Sequence, residues 1–220
     1  MFIGHFALGF AARRAAPRVS LPVLFGAAQF ADMLWPVLLA AGIEQVRIDP
    51  GNTAFTPLEF VSYPYSHSLL FLIGWGVLFG AVYRRLTGRN GQTLAVLVAL
   101  VISHWMLDVL THRPDMPLYP GGTKIGLGLW NSVPWTVALE STLFAIGVWI
   151  YARSTRARDA IGHWALVGFV IFLVVVYFVS LLGPPPPSVG ALSVTAMIGM
   201  VILVFWSWWL DRHRQSRAWP

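Results

Sequence analysis

Apolar residues dominate six runs of about twenty residues each, at 20–42, 68–83, 92–110, 133–151, 162–182 and 189–210, with short polar connectors between them. A helix rises 1.5 Å per residue, so roughly twenty apolar residues cross the ~30 Å hydrocarbon core of a bilayer. The pattern predicts an all-α, polytopic membrane helix bundle of about six transmembrane helices. A shorter apolar stretch at 2–12 precedes them; it is too brief to span alone and is expected as a short N-terminal helix. Pro36 should break the first span near its middle. Gly76-x-x-x-Gly80 permits close packing of the second span, and the polyproline at 184–187 makes a stiff turn between the last two.

Charge turns this pattern into a topology. Twelve of the fifteen basic residues lie three apiece before the first span, after the second, after the fourth and after the sixth; Arg47, Arg113 and Lys124 occupy the opposite side. The positive-inside rule makes the richer side cytoplasmic, with the C-terminus on it, and the regular alternation supports six spans. Residues 1–12 lack a basic leader and are followed by Arg13 and Arg14, the wrong order for a cleaved signal, so this stretch is expected to stay in the mature protein. Trp206, Trp208 and Trp209 suit an aromatic belt at the cytoplasmic interface, with core packing as the alternative for any one.

Composition agrees. The chain is 57% hydrophobic and 11% charged, against about 25% charged in soluble domains, too few polar residues to cover a globule in water. The net charge of +6 follows the loops and reads as topology and lipid-headgroup contact, not as a nucleic-acid face. There is no cysteine, which removes disulfides and thiolate metal ligands.

Three acids fall inside the expected spans: Asp32, Asp108 and Glu140. His104 is also within a span and His67 starts one. A charge at membrane depth costs several kcal/mol and usually faces a cavity, a partner or an ion. Counting helical rise from the nearest basic cluster puts Asp32, Glu140 and His104 about 20 Å away, and Asp108 and His67 about 26–27 Å, all in the outer half of the bilayer. His104 and Asp108, four apart, share a helix face. Imidazole and carboxylate together suit zinc and similar divalent ions; a buried pair that merely orients helices is the structural alternative. His5 joins the set if 2–12 is helical. In the outer loop, His112 and Asp115 are candidate supports of the site, and Arg113 and Lys124 candidate phosphate holders; all four also read as ordinary solvated loop residues.

Gly4-His5, Asp32, Ser66-His67-Ser68 and His104-x-x-x-Asp108 resemble the motifs of the bacterial inner-membrane proteins classed as membrane-bound metal-dependent hydrolases. The resemblance covers about 1–119. It implies a site at His5, Asp32, His67, His104 and Asp108. Where that family has two acids the chain has Gln29-Phe30-Ala31-Asp32, and where it has His-Arg the chain has Tyr63-Pro64-Tyr65.

These readings combine into expectations. The chain, 1–220, forms one membrane domain, with the metal-site part in 1–152 and two further helices in 153–220. A divalent ion, zinc by default, is held by His67, His104 and Asp108 with His5 or Asp32; Asp32 or Glu140, whichever is not a ligand, acts as base; the substrate is an amphiphilic ester or phosphoester, such as a lipid or lipid-linked phosphate, at the outer leaflet. An ion- or proton-coupled transporter and a non-catalytic membrane scaffold stay open as alternatives.

Overall fold

Five of the apolar runs become helices long enough to cross a membrane: α5 (Leu69–Thr87), α6 (Gly91–Thr111), α7 (Val133–Ser154), α8 (Ala160–Leu182) and α9 (Val189–Arg212). The computed structural model describes residues 1–217, so the last three of the expected 1–220 domain lie outside the described residues. The helices start where the sequence supplies caps. The side chains of Ser68, Asn90, Asp159 and Ser188 accept backbone N–H bonds from Phe71, Thr93, Gly162 and Ala191, satisfying donors that the first turn leaves free. Gly88, at φ +65°, ends α5 with its N–H on the Arg84 carbonyl, a left-handed position that glycine fills without a Cβ clash.

The first expected span is broken. Its two halves, α2 (Leu21–Ala28) and α3 (Phe30–Ala40), meet at an angle of 61°, so among the described residues five helices are long and apolar enough to span, or six if the bent pair counts as one. The break is at Gln29 (φ −103°, ψ 13°) and not at Pro36, which lies inside α3. Pro36 removes a single backbone donor and is tolerated; the break at Gln29 leaves the last carbonyls of α2 without helical partners, and a side chain of the site takes one of them.

The N-terminal stretch is helix α1 (Ile3–Ala15), buried along most of its length, with Ile3, Phe6 and Phe10 at 2% exposure or less. Thirteen residues rise only about 20 Å, and a helix apolar all round belongs in the interior. It lies against α7 so closely that a Cβ on Gly147 would sit 2.3 Å from the Ala7 carbonyl oxygen. Gly76 and Gly80 of α5 likewise admit α6: a Cβ on Gly76 would come 3.2 Å from the Val98 carbonyl.

Two apolar cores result. Trp35, Leu72, Leu97 and Val101 join α3, α5 and α6; Phe6, Phe10, Phe25, Phe144, Phe169 and Leu173 join α1, α2, α7 and α8. Outward-facing residues are apolar too, with Leu70, Val77, Ile171, Val179, Val201 and Phe205 each more than half exposed, a surface that lipid covers and water would not. Trp206 turns inward, its Nε1 donating to the Ala165 carbonyl, while Trp208 and Trp209 face out.

The connectors hold small antiparallel pairs that the apolar pattern does not announce. On the loop side of the site are β1 (Gln45–Ile48) with β2 (Leu58–Ser62), and β3 (Met116–Pro117) with β4 (Lys124–Ile125). At the other end β5 (Thr155–Ala157) pairs with β6 (Arg214–Ser216), and Ser216 reaches both Arg13 and the Pro17 carbonyl. Three of the four basic segments are thereby gathered at one end, as the charge alternation requires.

Candidate metal centre

Three elements deliver four side chains to one point. On α6, His104 and Asp108 are one turn apart and buried. The four-residue helix α4 (Pro64–His67) ends on His67, buried ahead of α5. The bend at Gln29 aims the first turn of α3, and with it Asp32, at the same place. The contacts close a ring: Asp32 Oδ1 to His67 Nε2 is 3.5 Å, His67 Nε2 to Asp108 Oδ2 3.9 Å, Asp108 Oδ2 to His104 Nε2 3.2 Å, and His104 Nε2 back to Asp32 Oδ1 3.6 Å. Asp32 is the most open of the four side chains at 24% exposure, against 0–4% for the others, so the ring is approached from its side.

The hydrogen bonds behind the ring fix which atoms face it. His104 Nδ1 lies 2.8 Å from the Ala28 carbonyl at the end of α2; a carbonyl only accepts, so Nδ1 carries the hydrogen. The Ser66 hydroxyl donates to Glu44 Oε2 at 2.5 Å and, having one hydrogen, can only accept from His67 Nδ1 at 2.7 Å. A neutral imidazole with its proton on Nδ1 presents a lone pair at Nε2. With both imidazoles neutral, nitrogen lone pairs and carboxylate oxygens alternate around the ring, Asp32, His67 and His104 have ligand atoms all within 4.8 Å of one another, and His104 Nε2 has no hydrogen-bond partner among the described residues.

With neutral imidazoles, these acceptors are satisfied by a cation between them. A tetrahedral zinc with nitrogen and oxygen ligands at 2.0–2.1 Å has ligand separations of about 3.3–3.4 Å, close to three sides of the ring at 3.2–3.6 Å and shorter than the fourth at 3.9 Å. The outer imidazole nitrogens are each bonded to protein, the arrangement that orients metal-bound histidines. The residues fit a divalent ion.

His5 lies behind this ring. Its imidazole stacks on that of His104, with centroids 3.6 Å apart and planes 7° apart. Its Nε2 lies 3.0 Å from Asp108 Oδ1, the oxygen that also receives the Met1 ammonium at 2.5 Å. Asp108 thus turns one oxygen to α1 and the other to the ring. His5, His104 and Asp108 form a second group able to hold an ion, with donor atoms all within 4.8 Å of one another. Glu140 of α7 is bound to α1: its Oε2 accepts from the backbone amides of Phe2 and Gly4 at 2.8 and 3.2 Å. No hydrogen bond or ion pair joins it to His67, His104 or Asp32 among the described residues.

The outer-loop candidates separate into two pairs. His112 and Asp115 are buried, 2.9 Å apart, and share the Tyr63 hydroxyl, which donates to Asp115 Oδ1 at 2.9 Å. Burial pushes the Tyr63 phenol well above its usual value, with the Asp115 charge adding to it, and burial lowers His112 from 6.5 against the opposing pull of Asp115. The Tyr63 ring lies 5.2 Å from that of His67, so this pair backs the ring of ligands. Arg113 pairs with Glu59 and Asp115 at 3.6 Å, and Lys124 Nζ reaches the Val61 carbonyl at 3.3 Å; both are at the surface.

Sequence reasoning passes over Glu44, Ser66 and Tyr63. Glu44 looks like a loop acid, and only the contact across 22 residues to Ser66 reveals it; the one local signal is the place of Ser66 beside His67.

Fold and cluster together define a polytopic membrane protein with a buried histidine–carboxylate centre at one end of its helices. A family model, YdjM inner membrane protein, matches residues 1–183, and the chain belongs to that family; the match includes every residue of the centre. No curated protein and no solved structure matches the chain.

Proposed function

We propose that the protein is a metal-dependent hydrolase of the bacterial inner membrane, acting on an amphiphilic ester or phosphoester at the outer leaflet. The observation that carries this reading is the ring of His67 Nε2, His104 Nε2, Asp32 Oδ1 and Asp108 Oδ2, brought within 3.2–3.9 Å of one another along its sides by three separate elements. His67, His104 and Asp108 would hold the ion, zinc by default because the donors are two imidazoles and a carboxylate, with the open position toward Asp32. A bound divalent ion polarises a carbonyl or phosphoryl oxygen and makes water a nucleophile near neutral pH.

The chain's own residues supply the rest. Asp32, on the open side, is the group best placed to take a proton from an incoming water. His5 and the α1 amides on Glu140 keep Asp108 and α1 in position. Arg113 and Lys124, at the surface of the outer loop, suit a phosphate headgroup. Segregation of basic residues to the opposite end supports an outward-facing site and a cytoplasmic C-terminus, and a site within the bundle favours a substrate that reaches it from lipid.

Metal analysis of the chain purified in detergent, then reconstituted with excess zinc, tests the reading. We expect about one tightly held ion per chain, and His104→Ala to weaken zinc binding by more than about 100-fold, since even the partners behind metal ligands are worth about 10–100-fold. Wild-type protein that retains no divalent ion after reconstitution overturns it.

A further inference from the structure

Building on the metal-site reading, we infer that Glu44 is the positioning residue that selects which nitrogen of His67 faces the ring. Glu44 follows the turn at Gly42 and is 2% exposed. Its Oε1 accepts the amides of Tyr65 and Ser66 at 2.8 and 2.9 Å, and its Oε2 accepts the Ser66 hydroxyl at 2.5 Å. A carboxylate has no hydrogen to give, so the single hydroxyl hydrogen of Ser66 points to Glu44. Ser66 Oγ is left as an acceptor, and His67, 2.7 Å away, must carry its hydrogen on Nδ1. The direction of this chain is set at Glu44, two hydrogen bonds back from the His67 imidazole, and it frees the Nε2 lone pair for a ligand.

An amide at position 44 reverses the direction. In Glu44→Gln the side-chain oxygen keeps the two backbone amides, while its NH2 group donates to Ser66 Oγ. The hydroxyl hydrogen then turns to His67 Nδ1, which becomes the acceptor, and the ring hydrogen moves to Nε2. There it points at Asp32 and Asp108 and blocks ligation. The carboxylate also borders a hollow of about 440 Å³ lined by Gln45, Val46, Arg47, Val61 and Val189, so a substitution of equal size disturbs little packing.

The test compares full-length wild type, Glu44→Gln and Ser66→Ala in detergent. Ring-nitrogen NMR of His67 in metal-free protein, at a pH where the ring carries one proton, should show the hydrogen on Nδ1 in wild type, on Nε2 in Glu44→Gln, and without a fixed preference in Ser66→Ala. Zinc affinity by calorimetry should fall about 10–100-fold in both variants. The Ser66→Ala variant keeps the Glu44 bonds to the Tyr65 and Ser66 amides, so it reports even if Glu44→Gln fails to fold. The same tautomer in all three proteins, or zinc affinity in the variants equal to wild type, overturns the inference. If wild type binds no zinc, the metal reading fails by itself and the tautomers alone decide the role of Glu44.

Discussion

The two ends of the molecule both bury charge, and they do so in opposite ways. At the basic end, Arg13 and Arg214 are each 6% exposed. Arg13 donates to the Val19 carbonyl and the Ser216 hydroxyl and pairs with Asp211 at 3.0 Å. Arg214 donates to Thr155 and the Gly162 carbonyl and lies over the Tyr151 ring. Both cations meet oxygen acceptors, and the result is a clasp that ties the C-terminal strand to α1, α7 and α8. At the other end, four acceptors face one another across 3.2–3.9 Å. Buried charge alone therefore does not mark a functional site; several acceptors from separate elements facing one another do.

Removing a charge from each end should separate the two. Arg13→Met leaves Asp211 without its partner in a partly buried place, and breaking a buried pair from one side costs about 3 kcal/mol. We expect thermal unfolding in detergent to show that loss while zinc affinity stays at the wild-type level. A change in zinc affinity would mean that the clasp and the centre are one structure.

Asp32→Asn should move stability the other way. The amide puts a donor into the ring, where His67 Nε2 and His104 Nε2 are 3.5 and 3.6 Å from the present carboxylate, and one gained hydrogen bond is worth about 1 kcal/mol. The metal-free variant is expected to melt higher than metal-free wild type and to lose zinc binding, the trade that functional sites commonly show. Destabilisation of the metal-free variant would mean that the wild-type acceptors are already matched by protons.

The contrast also explains what the sequence makes legible. Helix periodicity is local, so the pairing of His104 with Asp108 follows from their spacing of four, and the six apolar runs follow from length alone. The alternation of arginines between connectors places Asp32, His67 and His104 near one depth without any contact being known. What escapes is set by contacts between distant residues. The bend falls at Gln29 because the loosened end of α2 has a use, its Ala28 carbonyl holding His104 across 76 positions; nothing local to Gln29 competes with the stronger signal of Pro36. The interior place of α1 depends on the bare face of Gly147, and Trp206 leaves the interfacial belt for the Ala165 carbonyl. The strands are too short to imprint an alternating pattern. Glu44 carries no sign of its partnership with Ser66.

His112 is the intermediate case and gives the smallest of these effects. It is buried beside the centre, yet its Nδ1 is matched with Asp115 Oδ1 and Tyr63 shares the same oxygen, so by the donor–acceptor criterion it belongs with the clasp. Burial lowers its pKa from 6.5 in spite of Asp115. As pH falls below 6.5 the unfolded chain takes up this proton before the folded one does, so stability drops with acidification and is fully present above 6.5. Melting curves of metal-free wild type and His112→Gln between pH 7.5 and 5, taken as a difference so that the groups of the ring cancel, should show wild type losing stability more steeply on the acid side. Parallel curves would mean that His112 titrates alike in the folded and unfolded chain, and wild type gaining stability on the acid side would mean that its pairing with Asp115 is an ion pair of the same kind as Arg13 with Asp211.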